Sequence, residues 1–229
     1  MLRICLFLFI LTVTALEAAS PALVVIDAGH GGRDSGARAN GLVEKELTLD
    51  TARRLETRLR KEKIKTVMVR TSDVFIDLDD RVRFANRFAR KDAVLVSIHF
   101  NAVSGSGARG LETFFWKPEA TALAVRVQNK VAKKTGLANV GVNRRRLRLT
   151  RNPEIPSILV EAGFLTNRTE ARYLSSPLAR DAIAAGIAAG IVELRQKGEK
   201  GIRRVPEIAS PLSKKTDPKE GGRRLRPGN

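Results

Sequence analysis

The 229-residue sequence contains very little cysteine, histidine or aromatic residue other than phenylalanine, and each shortage excludes a class of site. Its one cysteine, Cys5, lies within the first twenty residues. Disulfides, a thiol nucleophile and a cysteine-rich structural zinc site are therefore excluded for the remainder of the chain. With one tryptophan, one tyrosine and no RNA-binding aromatic motif, the chain does not have the composition of a protein that recognises nucleic acid by base stacking.

The first twenty residues have the layout of a secretory signal peptide. Residues 1–3 give a short positive start, residues 4–16 are apolar apart from two threonines, and small residues precede Pro21. This apolar run matches the roughly 7–15 residues of a signal peptide and is shorter than the about 20 needed to span a bilayer. No clean cleavage site is visible, so an uncleaved anchor stays as the alternative. We expect a protein exported to the periplasm or cell envelope.

The net charge of +18 is unevenly distributed along the chain. Residues 195–229 hold eleven Lys and Arg against four Asp and Glu, and a second group without acids comprises Arg144, Arg145, Arg146, Arg148 and Arg151. Such an excess of positive charge favours binding to polyanions. In an exported protein, an anionic wall polymer or a membrane surface is a better candidate partner than nucleic acid. The alternative is that these charges only form a solvated face and a disordered tail. The basic tail is predicted over residues 198–229. We also expect the protein to be a monomer.

Strands and helices alternate between residues 21 and 197, which we predict to be one domain. Apolar runs predict strands that begin at Leu23 and occupy residues 65–70, 93–98, 111–115, weakly 147–150, and 157–161. Apolar spacing of the helical kind predicts helices at 44–61, about 78–89, 120–136 and 177–196. This alternation indicates an α/β sandwich around a mostly parallel sheet.

The two histidines of the chain each follow an apolar strand. His30 lies in the Gly-rich turn of LVVIDAGHGGRDSG, and His99 ends the strand AVLVSIHFNA. Glu161 closes a third apolar strand, and ligand sites form beyond the carboxyl ends of such strands. Glu44 begins the helix after the His30 loop, although Glu46 is equally eligible on these grounds. Two imidazoles and one carboxylate leave a tetrahedral metal one open position, as in catalytic zinc sites.

Each of these residues also has a plain structural interpretation. His30 alone could be a local hydrogen-bonding residue, and Glu44 alone could stabilise the N-terminus of its helix. Glu161 is harder to explain in this way, because a buried unpaired carboxylate is costly. Asn101, two residues beyond His99, could bind substrate or hold its own loop.

Several motifs occur in an order that resembles a known family. They are VVIDAGHGGRDSGA, GLVEKELTLD, RVRFAN, VSIHFNA and ILVEAGFLTN. Over residues 22–194 the sequence resembles the zinc-dependent N-acetylmuramoyl-L-alanine amidases of the amidase-3 type. The resemblance implies a twisted, mainly parallel sheet of about six strands with helices on both faces. It also implies one zinc ion held by His30, Glu44 and His99, with Glu161 as the catalytic carboxylate.

The resemblance further implies peptidoglycan as the substrate, cleaved at the amide between N-acetylmuramic acid and the L-alanine of the stem peptide. Zinc would activate a water molecule, and Glu161 would take its proton and pass it to the leaving amine. Division-type members of the family carry an inhibitory helix before the helix that starts near Ala120, and here only Trp116, Lys117 and Pro118 intervene. Another exported zinc hydrolase, or a wall-binding protein without metal, are the alternatives.

Overall fold

The computed structural model describes residues 21–89 and 91–202. The predicted signal peptide at residues 1–20 and residues 203–229 of the predicted tail lie outside the described residues. The strands are β1 (Leu23–Ala28), β2 (Arg38–Ala39), β3 (Leu42–Val43), β4 (Lys65–Met68), β5 (Ala93–Asn101), β6 (Leu111–Phe115), β7 (Asn139–Arg144) and β8 (Ser157–Phe164). The helices are α1 (Glu44–Lys61), α2 (Leu78–Asn86), α3 (Thr121–Thr135), α4 (Arg148–Arg151), α5 (Arg168–Ser175) and α6 (Pro177–Lys197), with a 3₁₀ turn at Pro118–Ala120.

The central sheet has six strands in the order β4-β1-β5-β8-β6-β7. Strands β4, β1, β5 and β8 are mutually parallel, whereas β6 runs antiparallel to β8 and β7 runs parallel to β6. Parallel neighbours require crossover connections, and the intervening helices supply them. The prediction of a mainly parallel, roughly six-stranded sheet in an α/β sandwich is confirmed.

Helices cover both faces of the sheet and make three layers. On one face, α1, α3 and α6 bury aliphatic residues against alternate positions of the strands. Glycines in α6 allow α3 to approach closely, since a Cβ at Gly190 would lie 2.6 Å from Cα of Val127. On the other face, α2 and α4 pack over a smaller cluster that includes Leu95 and Ile155. The larger cluster anchors α1, whose first residue belongs to the candidate site.

The helices begin and end at residues suited to those positions. The Asp77 side chain accepts a hydrogen bond from the main-chain N–H of Asp79 and caps α2. Ser176 caps α6, whose first position is proline. Helix α3 ends at Gly136, which has a φ of +70° that glycine adopts readily. No helix within residues 21–89 and 91–202 combines the length and apolarity needed to cross a membrane.

One predicted element is wrong and several were missed. The weak strand predicted at residues 147–150 is instead the single helical turn Arg148–Arg151, and the edge strand of the sheet is Asn139–Arg144. That edge strand reads NVGVNR and none of its residues is buried, so it has no apolar run to reveal it. The β2–β3 pair and α5 were missed because they are too short for a periodic signal.

The start of the predicted tail is part of the described structure. Arg126 on α3 donates hydrogen bonds to the main-chain oxygens of Gly198 and Lys200. Ile202 packs against the larger core cluster. Residues 198–202 therefore continue from α6 along the helical layer.

Candidate metal centre

The loop after β1 turns sharply and presents His30 above the sheet. His30 has a φ of +60°, followed by +128° at Gly31 and +56° at Gly32. Histidine enters this left-handed region more often than most residues, and glycine enters it without penalty. A Cβ at Gly31 would lie 2.2 Å from the main-chain oxygen of Val74, so the loop is also packed closely against the chain beyond β4.

A buried arginine from α2 holds the main chain of this loop. Arg81 donates hydrogen bonds to the main-chain oxygens of Ala28 at 2.8 Å and His30 at 2.6 Å. It also pairs with the Asp27 carboxylate at 2.6 Å, which in turn accepts a hydrogen bond from the Ser97 hydroxyl. Arg81 is 3% exposed and Asp27 is fully buried. A buried charge pair of this kind is tolerated because both partners are fully hydrogen-bonded.

A second buried arginine, Arg70, holds the same loop from the end of β4. It donates to the main-chain oxygens of Ala28 and Gly29, both at 2.9 Å, and to that of Lys45 on α1. Thr48 on α1 donates to the Gly29 oxygen as well, at 2.8 Å. These bonds fix the His30 loop relative to α1. The RVRFAN motif was recognised in the sequence, but the roles of Arg81 and Arg70 were not, because their partners are main-chain oxygens far along the chain.

Glu44 and the two histidines share one carboxylate oxygen. Glu44 Oε1 lies 3.0 Å from Nε2 of His30 and 3.0 Å from Nδ1 of His99. The same oxygen accepts a hydrogen bond from the N–H of Phe100, and Oε2 accepts one from the N–H of Ala37. The carboxylate is thus held on both oxygens while it faces the imidazoles.

The structure brings together the three side chains that the sequence nominated as metal ligands. One ligand atom from each of His30, Glu44 and His99 lies within 4.8 Å of the others. The two imidazole rings are 4.9 Å apart at an angle of 77°. Glu46, the alternative from sequence, is exposed and lies outside the cluster. Two nitrogens and one oxygen at this separation are a donor set that suits a zinc ion.

Glycines leave the space that these donors occupy. A Cβ at Gly29 would lie 2.3 Å from Cε1 of His99. A Cβ at Gly36 would lie 2.5 Å from Oε2 of Glu44 and 2.6 Å from Cδ2 of His30. Any larger residue at either position would displace a donor, which gives the Gly-rich motif a steric explanation.

The opposite charges of Glu44 and His30 stabilise each other. Burial alone would lower the pKa of His30, but the hydrogen bond and negative charge of Glu44, together with Asp34, raise it to about 9. Burial opposes ionisation of Glu44 too, yet the hydrogen bonds from His30 and His99 hold its pKa well below the usual range. Asp34 Oδ2 lies 3.0 Å from Nδ1 of His30 and can orient that ring.

Glu161 lies beside this cluster on the neighbouring strand. It pairs in register with His99, so their Cα atoms are adjacent across β5 and β8. Its Oε2 is buried and has no hydrogen-bond partner within the described part of the chain. Burial, with the negative charge of Glu44, raises the pKa of the Glu161 carboxyl to about 8. This is a carboxyl able to hold or release a proton near neutral pH.

The remaining nominated residue, Asn101, ends β5. Its side-chain oxygen accepts a hydrogen bond from the N–H of Ala102, and its main-chain oxygen accepts one from Leu165. These contacts agree with the loop-holding alternative, and a substrate contact stays a prediction. Glu112, which was not predicted from the sequence, pairs with Glu161 across β6 and β8 and accepts a hydrogen bond from Asn143. The only feature of the sequence that could have indicated Glu112 is its polar position within the apolar strand LETFF.

Two imidazoles and a carboxylate converging at the rim of an α/β sandwich, with a buried carboxyl beside them, are typical of a metal-dependent hydrolase. Comparison with known proteins agrees with this class. The family model described as N-acetylmuramoyl-L-alanine amidase, of the amidase-3 type, matches residues 24–193. The chain belongs to this family.

Several relatives resemble the chain over most of its length. It is 37% identical over 174 residues to the N-acetylmuramoyl-L-alanine amidase LytC of Bacillus subtilis, covering 74% of this chain and 34% of LytC. It is 36% identical to the endolysin of Bacillus phage SPP1, covering 75% of this chain and 65% of the endolysin. The chain thus spans between about a third and two thirds of the length of these relatives.

Solved structures share the fold. The crystal structure of an N-acetylmuramoyl-L-alanine amidase from Clostridium difficile 630 superposes with a TM-score of 0.74 at 33% identity, covering 80% of this chain and all of that one. The N-acetylmuramoyl-L-alanine amidase AmiC2 of Nostoc punctiforme gives a TM-score of 0.72 at 36% identity, covering 76% of this chain and 97% of that one.

Proposed function

We propose that the protein is an exported, zinc-dependent hydrolase of peptidoglycan that cleaves the amide between N-acetylmuramic acid and the L-alanine of the stem peptide. The observation that carries this proposal is the convergence of His30, Glu44 and His99 next to Glu161, whose Oε2 is buried and makes no hydrogen bond to the described residues. Membership of the amidase-3 family supports the choice of bond and substrate.

The donor set fits one zinc ion. Nε2 of His30, Oε1 of Glu44 and Nδ1 of His99 would hold it, which leaves a position for water or substrate. When bound, zinc supplies a water molecule of lowered pKa and polarises a carbonyl oxygen. The carboxylate of Glu44, already held by the N–H groups of Phe100 and Ala37, needs little reorganisation to serve as a ligand.

Glu161 is the group that moves the proton. Its raised pKa lets it accept a proton from the attacking water and return it to the amine of L-alanine as the amide breaks. The free amine and the carboxyl of the lactyl group are the two products. Because Oε2 makes no hydrogen bond to the described residues, no donor among them competes with the proton that it would carry.

The substrate places the protein at the cell wall, and the sequence supports the same location. The layout of residues 1–20 is that of a signal peptide, residues 21–197 would form the catalytic domain, and residues 198–229 would be a basic tail able to contact an anionic wall or membrane surface. In a bacterium with two membranes, the compartment would be the periplasm.

The test is to digest purified peptidoglycan with the purified protein and to identify the products by mass. We expect intact glycan strands and intact stem peptides that begin with a free L-alanine amine. A chelator should abolish the digestion and added zinc should restore it. Cleavage within the peptide would indicate a peptidase instead, and binding without cleavage would indicate a wall-binding protein.

A further inference from the structure

The five arginines between residues 144 and 151 do not share one environment. Arg144 donates a hydrogen bond to the main-chain oxygen of Trp116, and its guanidinium lies 5.2 Å from the centre of that indole ring. Arg148 forms an ion pair with Asp79 at the start of α2. Both are therefore bound to neighbouring parts of the fold and have structural roles.

Arg145 contacts a residue of β6 that lies on the same face of the sheet as Glu161. The main-chain N–H of Arg145 donates a hydrogen bond to the main-chain oxygen of Phe115 at 2.8 Å, which fixes this residue just beyond β7. Its guanidinium lies 5.3 Å from the centre of the Phe114 ring. Phe114 is two residues along β6 from Glu112, which pairs with Glu161 on the same face.

The positive charge of Arg145 has no carboxylate partner within ion-pair distance among the described residues. It is nevertheless close enough to act on the site electrostatically. Burial raises the pKa of both Glu112 and Glu161, and the charge of Arg145 opposes that rise in each case. The side chain is half-buried, so its charge is only partly screened by solvent.

Such a guanidinium is suited to a ligand carboxylate. It carries its N–H donors around the edge of its plane, so contact with the Phe114 ring leaves donors for a second partner. Phe114 lies two residues along β6 from Glu112, the residue opposite Glu161, and two strand residues span about 7 Å. A carboxylate held beside Phe114 by Arg145 would therefore lie about two residues of extended peptide from a bond that reacts at Glu161.

The two sides of the proposed substrate differ in charge. The muramoyl sugar carries hydroxyl and acetamido groups, which do not ionise near neutral pH, whereas the stem peptide carries free carboxyl groups. Only the peptide side can complement the positive charge of a guanidinium. We propose that Arg145 forms a subsite for a carboxylate of the stem peptide and so selects an acidic residue after the L-alanine. This inference rests on the proposed function and specifies the substrate of the same site.

The test uses two synthetic N-acetylmuramoyl dipeptides with the zinc-loaded full chain. One is N-acetylmuramoyl-L-Ala-D-Glu with both carboxyls free, and the other carries both as carboxamides. We expect the wild type to have a KM about tenfold lower for the acidic substrate, the size of one charged hydrogen-bonded contact. Arg145→Gln should remove this preference by raising the KM of the acidic substrate alone, with kcat nearly unchanged. Arg145→Lys should retain part of it.

Arg144→Gln is the matched control, since it removes the same charge one residue away. It should leave the preference for the acidic substrate intact. Equal KM values for the two substrates in the wild type, or equal losses in Arg145→Gln and Arg144→Gln, would overturn the subsite while the amidase function stood. Failure of the wild type to hydrolyse either substrate, together with no amidase products from peptidoglycan, would overturn both.

Discussion

The guanidinium of Arg81 on α2 donates a hydrogen bond to the main-chain oxygen of His30, 51 residues away in sequence, at 2.6 Å. The same side chain pairs with the buried Asp27 carboxylate, which precedes the loop. One arginine thus ties the strand end and the left-handed turn together. Because a metal ligand must be held closely to bind well, Arg81 is a positioning residue for the candidate metal centre.

Arg81→Met should therefore damage both stability and metal binding. Removal of one partner leaves the Asp27 charge buried and unpaired, so we expect the free energy of unfolding to fall by about 3 kcal/mol. Zinc affinity should fall at least about tenfold, since the His30 loop loses its support. Urea unfolding and zinc titration measure the two effects. The matched control is Arg83→Met on the same helix, where the side chain is exposed and, among the described residues, pairs only with Asp80. Unchanged zinc affinity in a folded Arg81→Lys protein would contradict the positioning role.

Glu161→Gln should separate metal binding from turnover. The amide keeps the size of the carboxyl but cannot accept a proton, so we expect turnover to fall about 10²–10⁴-fold while one zinc ion stays bound. His99→Ala should lose the zinc as well, because His99 belongs to the donor set. Metal content and peptidoglycan digestion are measured on the same samples. Near wild-type turnover in Glu161→Gln would remove Glu161 from the mechanism.

Gly29→Ala should disturb His99 through contact alone. The added Cβ would lie 2.3 Å from the imidazole ring, so the ring must shift and zinc affinity should fall by about tenfold or more. Gly107→Ala is the control, since a Cβ there has no heavy atom within 4 Å. Zinc titration of both variants gives the comparison, and equal affinities would show that the ring adapts without cost.

The metal-free protein should be more stable in mild acid than in mild base. The pKa of His30 is raised from 6.5 to about 9, so the stabilisation is full below pH 6.5 and is lost as the pH rises through about 9. The raised pKa of Glu161 acts in the same direction up to about pH 8. With chelator present, we expect the free energy of unfolding to fall by about 4 kcal/mol between pH 6.5 and 9, with His30 and Glu161 contributing comparable parts. Urea unfolding across this range measures it, and His30→Gln should reduce the fall by about half.

The protein should digest peptidoglycan without an activating partner. Strand β6 ends at Phe115 and the 3₁₀ turn before α3 begins at Pro118, so no helix is inserted between them. The inhibitory helix expected of division-type relatives has no counterpart in this connection. Assay of the purified protein alone tests the prediction. If the purified protein hydrolyses peptidoglycan only after a partner protein is added, the prediction is wrong and the protein is inhibited in another way.

The sequence by itself determined the elements with a strong local signal. Helix α1 occupies the predicted residues 44–61, because its apolar residues recur at helical spacing and its first turn is acidic. The apolar runs of β1, β5 and β8 were equally clear, and chemical reasoning about strand ends put His30, His99 and Glu161 at one rim of the sheet. Local periodicity and the rarity of histidine were sufficient for this.

Tertiary structure decided what depends on register and on distant partners. From the residues alone Glu44 and Glu46 were equal candidates, and only the direction in which α1 packs buries one and exposes the other. The reversed direction of β6 and β7, which brings Glu112 beside Glu161, has no local signal. The same holds for Arg81, whose partners lie far along the chain, and for Arg145 among five similar arginines. Short-range pattern specifies an element, whereas the contacts between elements exist only once the chain has folded.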